Sequence, residues 1–278
     1  MRRTTIDTAL RTALVLASAG LLLFPIYWML VTAVLPSEKV LTMSPSLLPA
    51  AADMSLDAFA GVVDRKPVLA WFVNSGLVTV GSVAVSVVIS ALAGYSLSRF
   101  NLGGEQIMGY ALLVSRMLPG TLLVIPLYIM FSRVGMINSF AALILANIVS
   151  IVPFSTWMMK GFYDGIPAEL EEAASIDGCS WFMAFRRVVL PLTLPGLAAV
   201  SIYSAILSWN EYVFARTLVM DQGKWMFTVG LASFVGEHSV DWSSLMAAGI
   251  IFIVPILIFF FILEPFLVKG MTQGSVKG

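Results

Sequence analysis

Apolar residues run along this chain in long unbroken blocks, without the three-to-four spacing of a surface helix or the alternation of a half-exposed strand. Six blocks reach the roughly 20 residues that carry a helix across a bilayer: 10–35, 68–97, 107–131, 140–160, 190–215 and 243–266. Pro25, Pro119, Pro126 and Pro255 fall inside them, which a membrane tolerates because neighbouring helices satisfy the freed carbonyls. The stretch Arg116–Pro119 is where the third block is expected to break beside a cavity. Between the blocks lie a polar stretch over 36–67, short connections at 99–106 and 133–139, and long loops at 161–189 and 216–242. A tail follows over 267–278. The pattern predicts an all-α integral membrane protein, a single domain over 1–278 with six transmembrane helices.

Composition narrows the picture. Hydrophobic residues make up 59% of the 278 and charged residues 12%, a balance that no soluble domain of this length can bury. Lys+Arg and Asp+Glu stand at 16 each, so no basic excess points to nucleic acid. One Cys excludes an internal disulfide, and with one His it excludes most metal sites built on those residues. Met1-Arg2-Arg3 resembles a signal-peptide start, but the first block continues to about Leu35 and reads as an uncleaved span. With the N-terminus inside, the cytoplasmic segments carry Arg2, Arg3, Arg11, Arg99, Lys160, Arg186, Arg187, Lys269 and Lys277. The outer segments carry Lys39, Arg65, Lys66, Arg133, Arg216 and Lys224. That bias puts both termini and the 161–189 loop in the cytoplasm.

The loop holds a charged patch in this apolar chain, with Glu169, Glu171, Glu172, Asp177, Arg186 and Arg187 within twenty residues. Pro167 suits the first turn of a helix, and the three glutamates suit its positive N-terminal end. Gly178 is a natural stop, after which Ser180 can cap a second helix with Phe182, Phe185 and Val189 on one face. Ala173 and Ala174 would let another protein close tightly, and Glu172 beside them can accept charge-assisted hydrogen bonds. A solvated loop with helical turns is the competing reading. A catalytic reading fails, because no nucleophile–base pair or metal set accompanies the carboxylates and Cys179 has no nearby His.

Glu172-Ala173-Ala174, three residues, Gly178, nine residues, then Val188-Val189-Leu190-Pro191 resembles the EAA signature of bacterial ABC importer permeases. That signature reads E-A-A, x3, G, x9, I-x-L-P, and Val188 is the one departure. Arg116-Met117-Leu118-Pro119, Ile125-Pro126-Leu127, Trp209-Asn210-Glu211-Tyr212 and the C-terminal Gly274-Ser275-Val276-Lys277-Gly278 are similar to the six-span permease of maltose-type carbohydrate importers. The resemblance implies a type I importer permease fold in a bacterial inner membrane, importing a sugar or sugar derivative. It implies that Glu172, Ala173, Ala174, Asp177 and Gly178 lie on a coupling helix that docks on an ATPase. Gly274, Ser275, Val276 and Lys277 would touch the ATPase interface. The implied partners are two ATP-binding subunits, which hold ATP and Mg, a homologous second permease and an extracytoplasmic solute-binding protein. This chain would bind no cofactor and hydrolyse nothing, in keeping with the absence of a G-x-x-x-x-G-K-[ST] loop.

Other positions carry two readings each. Arg116 either lines the translocation path or pairs with a backbone carbonyl near a helix break. Met117, Asn147, Trp209, Asn210 and Glu211 are candidates for the same path. Asn74, Asn147, Ser150 and Trp157 sit at membrane depth, where polar groups also tie helices together. Asp221, Gln222, Gly223, Lys224 and Trp225 form a loop that the resemblance directs to the binding protein, with Gly223 as a flexible tip, or else an ordinary surface loop. His238, the single histidine, is expected at the surface. The rival class is an ion-gradient-driven secondary transporter, which normally needs carboxylate or His relays inside the spans.

Overall fold

The computed structural model describes residues 2–40, 47–100, 103–236 and 240–273. His238 and the tail residues Gly274, Ser275, Val276 and Lys277 lie outside them. In chain order the helices are α1 (Arg2–Val34), α2 (Ser37–Val40), α3 (Asp57–Arg65), α4 (Val68–Arg99), α5 (Glu105–Ser115), α6 (Val124–Arg133) and α7 (Phe140–Asp164). They continue as α8 (Glu169–Ile176), α9 (Trp181–Ala184), α10 (Leu190–Leu192), α11 (Leu194–Trp209), α12 (Val213–Leu218), α13 (Phe227–Ala232) and α14 (Trp242–Gln273). Segments Asp7–Val34, Val68–Arg99, Phe140–Asp164 and Trp242–Leu267 are each long and apolar enough to cross a membrane. Two further candidates are bent pairs: α5 with Gly120–Arg133 at 92°, and Trp181–Leu192 with α11 at 74°. The third block breaks at residues 116–119, where the sequence leads one to expect it, whereas the fifth differs from the straight span expected. The fifth stops at Trp209 instead of 215, because Asn210 closes the helix and α12 starts afresh.

The backbone groups into two compact units. One comprises residues 1–69 and 230–254. Within it Ala33, Val62, Ala247 and Ala248 are fully buried, and Gly249 lets the Met29 side chain approach closely. The Ser243 hydroxyl donates to the Leu35 carbonyl at 2.7 Å, fixing the start of α14 to the end of α1.

The other unit comprises residues 70–229 and 255–278. Its centre is a close contact of α4, α7 and α11, for which small side chains are the condition. Ser82, Ser86 and Ser90 recur every fourth residue on α4, fully buried, and Ser155 and Ser204 are buried on α7 and α11. At one end Tyr95, Met159, Tyr163, Phe185, Val189 and Val200 form an apolar cluster. At the other, Phe131, Leu143, Phe214, Leu218 and Met226 form a second. The turn from α6 to α7 uses Gly135 and Asn138 at positive φ, and Ser139 caps α7 by accepting the Ala142 amide at 3.2 Å.

Candidate functional site

The loop 161–189 folds as the sequence leads one to expect up to its second helix. α8 begins after Pro167 with three glutamates in its first turn. It ends at Gly178, whose φ of +85° is the left-handed conformation that glycine adopts without penalty. The Cys179 amide returns to the Ala174 carbonyl at 2.9 Å and closes the helix end. Ser180 accepts the Met183 amide and starts α9. Here the prediction departs, because Phe185–Val189 form a π-helical turn. Phe185 and Val189 are buried in this turn, while Phe182, expected on their face, is exposed.

The helical phase of α8 sorts its residues into two faces. Glu172, Ala173, Ile176 and Asp177 are exposed, as is Gly178 behind them. Ile176 is 87% exposed, a large apolar side chain that the sequence reading passed over. Ala174, expected among the docking residues, points inward with 8% exposure. The reason is geometric: it lies three residues after Glu171, on the face that meets the rest of the unit.

A second feature sits at the break between α5 and α6. A cavity of about 250 Å³ is lined by Arg116, Thr121, Asn147, Ser150 and Glu211, with apolar residues of α7, α11 and α12. Of the path candidates, Arg116, Asn147 and Glu211 come together there, whereas Met117, Trp209 and Asn210 lie outside the lining. Each of the three is also held. The Arg116 Nη1 donates to the Ser150 carbonyl at 3.0 Å, and its guanidinium lies 5.7 Å from the centre of the Tyr203 ring. Pairing with a backbone carbonyl near the helix break is thus the geometry found for Arg116, which also lines the cavity. The Asn147 amide donates to Ser82 Oγ at 3.2 Å and Ser208 Oγ at 2.9 Å, tying α7 to α4 and α11. The Glu211 carboxylate accepts the Phe214 and Ala215 amides at 2.8 Å each, capping α12. That capping role was missed, although an acid three residues before an apolar helical turn is a signal for it.

The segment 221–225 is not the flexible tip expected at Gly223. Asp221 Oδ1 accepts the Gly223 amide, and the Asn74 amide donates to the carbonyls of Gly223 at 3.0 Å and Trp225 at 3.1 Å. Lys224 Nζ donates to the Asn138 carbonyl, and Arg216 lies over the Trp225 ring. Asp221, Gln222 and Gly223 remain exposed.

Residues 68–273 match the family of binding-protein-dependent transport system inner membrane components. The chain belongs to that family. Members of this family are the membrane components of ABC importers: permeases, not enzymes, with no cofactor of their own. The chain is thus a multi-pass inner-membrane permease subunit of an ATP-driven importer, served by an ATPase and a binding protein. The secondary-transporter alternative falls with that assignment. Among similar proteins, the diacetylchitobiose uptake system permease protein DasC of Streptomyces coelicolor is 34% identical over 92% of each chain. The sulfoquinovosyl glycerol transport system permease protein SmoH of Agrobacterium fabrum is 32% identical, over 92% of this chain and 89% of its own. The maltodextrin transport system permease protein MdxG of Bacillus subtilis is 31% identical over 81% of each. Among solved structures, a bacterial ABC transporter for import of the acidic polysaccharide alginate superposes with a TM-score of 0.78. It shares 21% identity and covers 95% of this chain and 98% of its own, a likeness of fold.

Proposed function

We propose that this permease imports a sugar or sugar derivative and docks on its ATPase through the outward face of α8. The observation that carries the docking is the exposed surface of Glu172, Ala173, Ile176 and Asp177 ahead of the turn at Gly178. A small residue and an apolar one flanked by two carboxylates suit a groove with an apolar floor and a basic rim. The carbohydrate class is supported by the relatives, whose names include diacetylchitobiose, sulfoquinovosyl glycerol and maltodextrin systems. In this reading two ATPase subunits, carrying ATP and Mg, close together and move α8. The spans then rock from inward-open to outward-open, and a homologous second permease completes the pathway. Both termini and α8 are cytoplasmic, and Gly274–Lys277 reach the ATPase. The exposed Asp221–Gly223 edge meets the binding protein, and the cavity at Arg116, Asn147 and Glu211 lies on the substrate path.

The test is purification of the tagged chain in mild detergent with its partners, wild type against Glu172→Lys, together with uptake of radiolabelled oligosaccharides by cells. Wild type should retain two ATPase copies and one different permease, and take up one of the sugars. Glu172→Lys should lose most of the ATPase at unchanged membrane abundance. Full retention of the ATPase by Glu172→Lys would remove the docking face from the account.

A further inference from the structure

Glu171 stands next to the docking glutamate but does something else. Its Oε1 accepts the Arg99 Nε at 2.5 Å, and its Oε2 accepts the Tyr95 hydroxyl. The Arg99 and Glu171 side chains are only 13% and 14% exposed. Arg99 has a second hold: its Nη2 donates to the Ile166 carbonyl at 2.8 Å, in the turn between α7 and α8. Both Tyr95 and Arg99 lie in the last turns of α4, more than seventy residues before Glu171. Among the described residues, Glu171 is the one side chain of α8 that hydrogen-bonds to a membrane-spanning helix.

The surroundings make this link stiff. The Tyr95 ring sits 4.6 Å from the Phe185 centroid, 5.5 Å from Trp181 and 5.5 Å from Tyr163, so the residues after α8 also pack on the end of α4. One turn away, the Ser98 hydroxyl donates to Asp164 Oδ1 at 2.7 Å, and Lys160 pairs with Asp164 Oδ2 at 2.6 Å. A partly buried, bidentate carboxylate is costly to detach, because each group left behind would be unpaired away from water. A push on α8 therefore meets less resistance from moving the end of α4 than from sliding along it.

We propose that Glu171, Arg99 and Tyr95 form a latch that carries displacement of α8 into α4, so that the two move as one body when the ATPase closes. They are positioning residues, and the idea rests on the docking reading of α8. In it α8 has a division of labour: Glu172 and Asp177 face the ATPase, while Glu171 faces the spans. Adjacent glutamates on a helix point about 100° apart, which makes the division unavoidable once one of them is docked.

The experiment uses the full assembly with cysteine-free partner subunits. Nitroxide labels are placed on the native Cys179, just after α8, and on Leu92→Cys, half-exposed on α4. Their distance distribution is measured without nucleotide and with ATP, Mg and orthovanadate. The latch predicts one narrow distribution in both conditions for the wild type. Glu171→Gln should broaden or shift it by several ångströms when nucleotide is added, while the ATPase stays bound and hydrolyses ATP. Tyr95→Phe, which removes only the hydroxyl, should do so to a smaller degree and serves if Glu171→Gln does not assemble. A wild-type distribution that changes with nucleotide overturns the proposal, as does one that stays narrow in both variants. Loss of the ATPase from Glu171→Gln would move Glu171 to the docking face and also overturn it, with the docking reading intact. Retention of the ATPase by Glu172→Lys would instead fail the docking reading, and the latch with it. A purely structural role would lower the yield of every form without making the distance depend on nucleotide.

Discussion

Gly94 lies on α4 against α7, and its hydrogen is there for a reason that can be measured. A methyl group at this position would sit 2.7 Å from the Met159 Cβ, 2.9 Å from the Lys160 amide nitrogen and 3.0 Å from the Thr156 carbonyl oxygen. Two of these atoms are backbone, fixed by the hydrogen-bond ladder of α7, so no rotamer change can relieve the clash. The helices must part by several tenths of an ångström. Overpacking of that kind costs about 1–3 kcal/mol, and the helix propensity of alanine returns at most about 1 kcal/mol. Gly76 on the same helix supplies the control, since a methyl there meets nothing within 4 Å in this chain. Gly94→Ala should therefore be less stable than Gly76→Ala by about 1–3 kcal/mol, the propensity term being common to both. For a chain of this size that is a melting point lower by about 2–12 °C. Thermal unfolding of the two purified variants in one detergent, beside the wild type, reads the difference. Coincident melting of the two variants would refute the close approach of α4 and α7.

Four further substitutions test separate parts of the account. Gly178→Asp forces a side chain into a φ of +85° and sets a carboxylate beside Asp177, at about 1 kcal/mol for the backbone alone. Sugar uptake should be abolished, with membrane insertion unchanged by immunoblot of the membrane fraction. Asn147→Ala removes two interhelical hydrogen bonds worth about 0.6 kcal/mol each, so a melting point lower by only a few degrees is expected. Glu211→Ala uncaps α12 and should cost about 1–2 kcal/mol, seen as faster amide exchange at Phe214 and Ala215. Arg116→Gln should cut uptake at least several-fold while the assembly purifies intact; unchanged uptake would take Arg116 off the substrate path.

The broad architecture was readable because hydrocarbon is an unforgiving solvent: blocks of about 20 apolar residues have few other fates. The turn at Gly178 and the cap at Ser180 were readable because each rests on a local rule. What escaped were facts of phase and distance. Glu171 and Glu172 are the same residue type at neighbouring positions, and only the partners of Glu171 on α4 separate their roles. The π-helical turn at Phe185–Val189 shifts every later side chain by one position, which no apolar periodicity announces. Thr193, where the bend of 74° occurs, carries no glycine or charge to mark it, although Pro191 and Pro195 flank it. Gly223 misled because its chemistry permits a loose tip, while Asn74, far away in sequence, fastens it.

The break at residues 116–123 has a further consequence. Pro119 has no amide to offer and is extended, with φ −58° and ψ 128°, so the helical ladder is interrupted there. Interrupted backbone at membrane depth survives only where protein covers it or where it lines a water-filled cavity. On this chain the break exposes Met117 and Ile125 to 81% and 70%, with the Arg116 guanidinium among them. Lipid would accept the two apolar side chains but not the guanidinium, and bulk water would accept the reverse. A protein surface that buries the apolar side chains and leaves a wet cavity at Arg116 accepts both. That combination calls for a protein cover over the face of α5 and α6, which the proposed pairing with a second permease would supply while leaving the cavity at Arg116 wet.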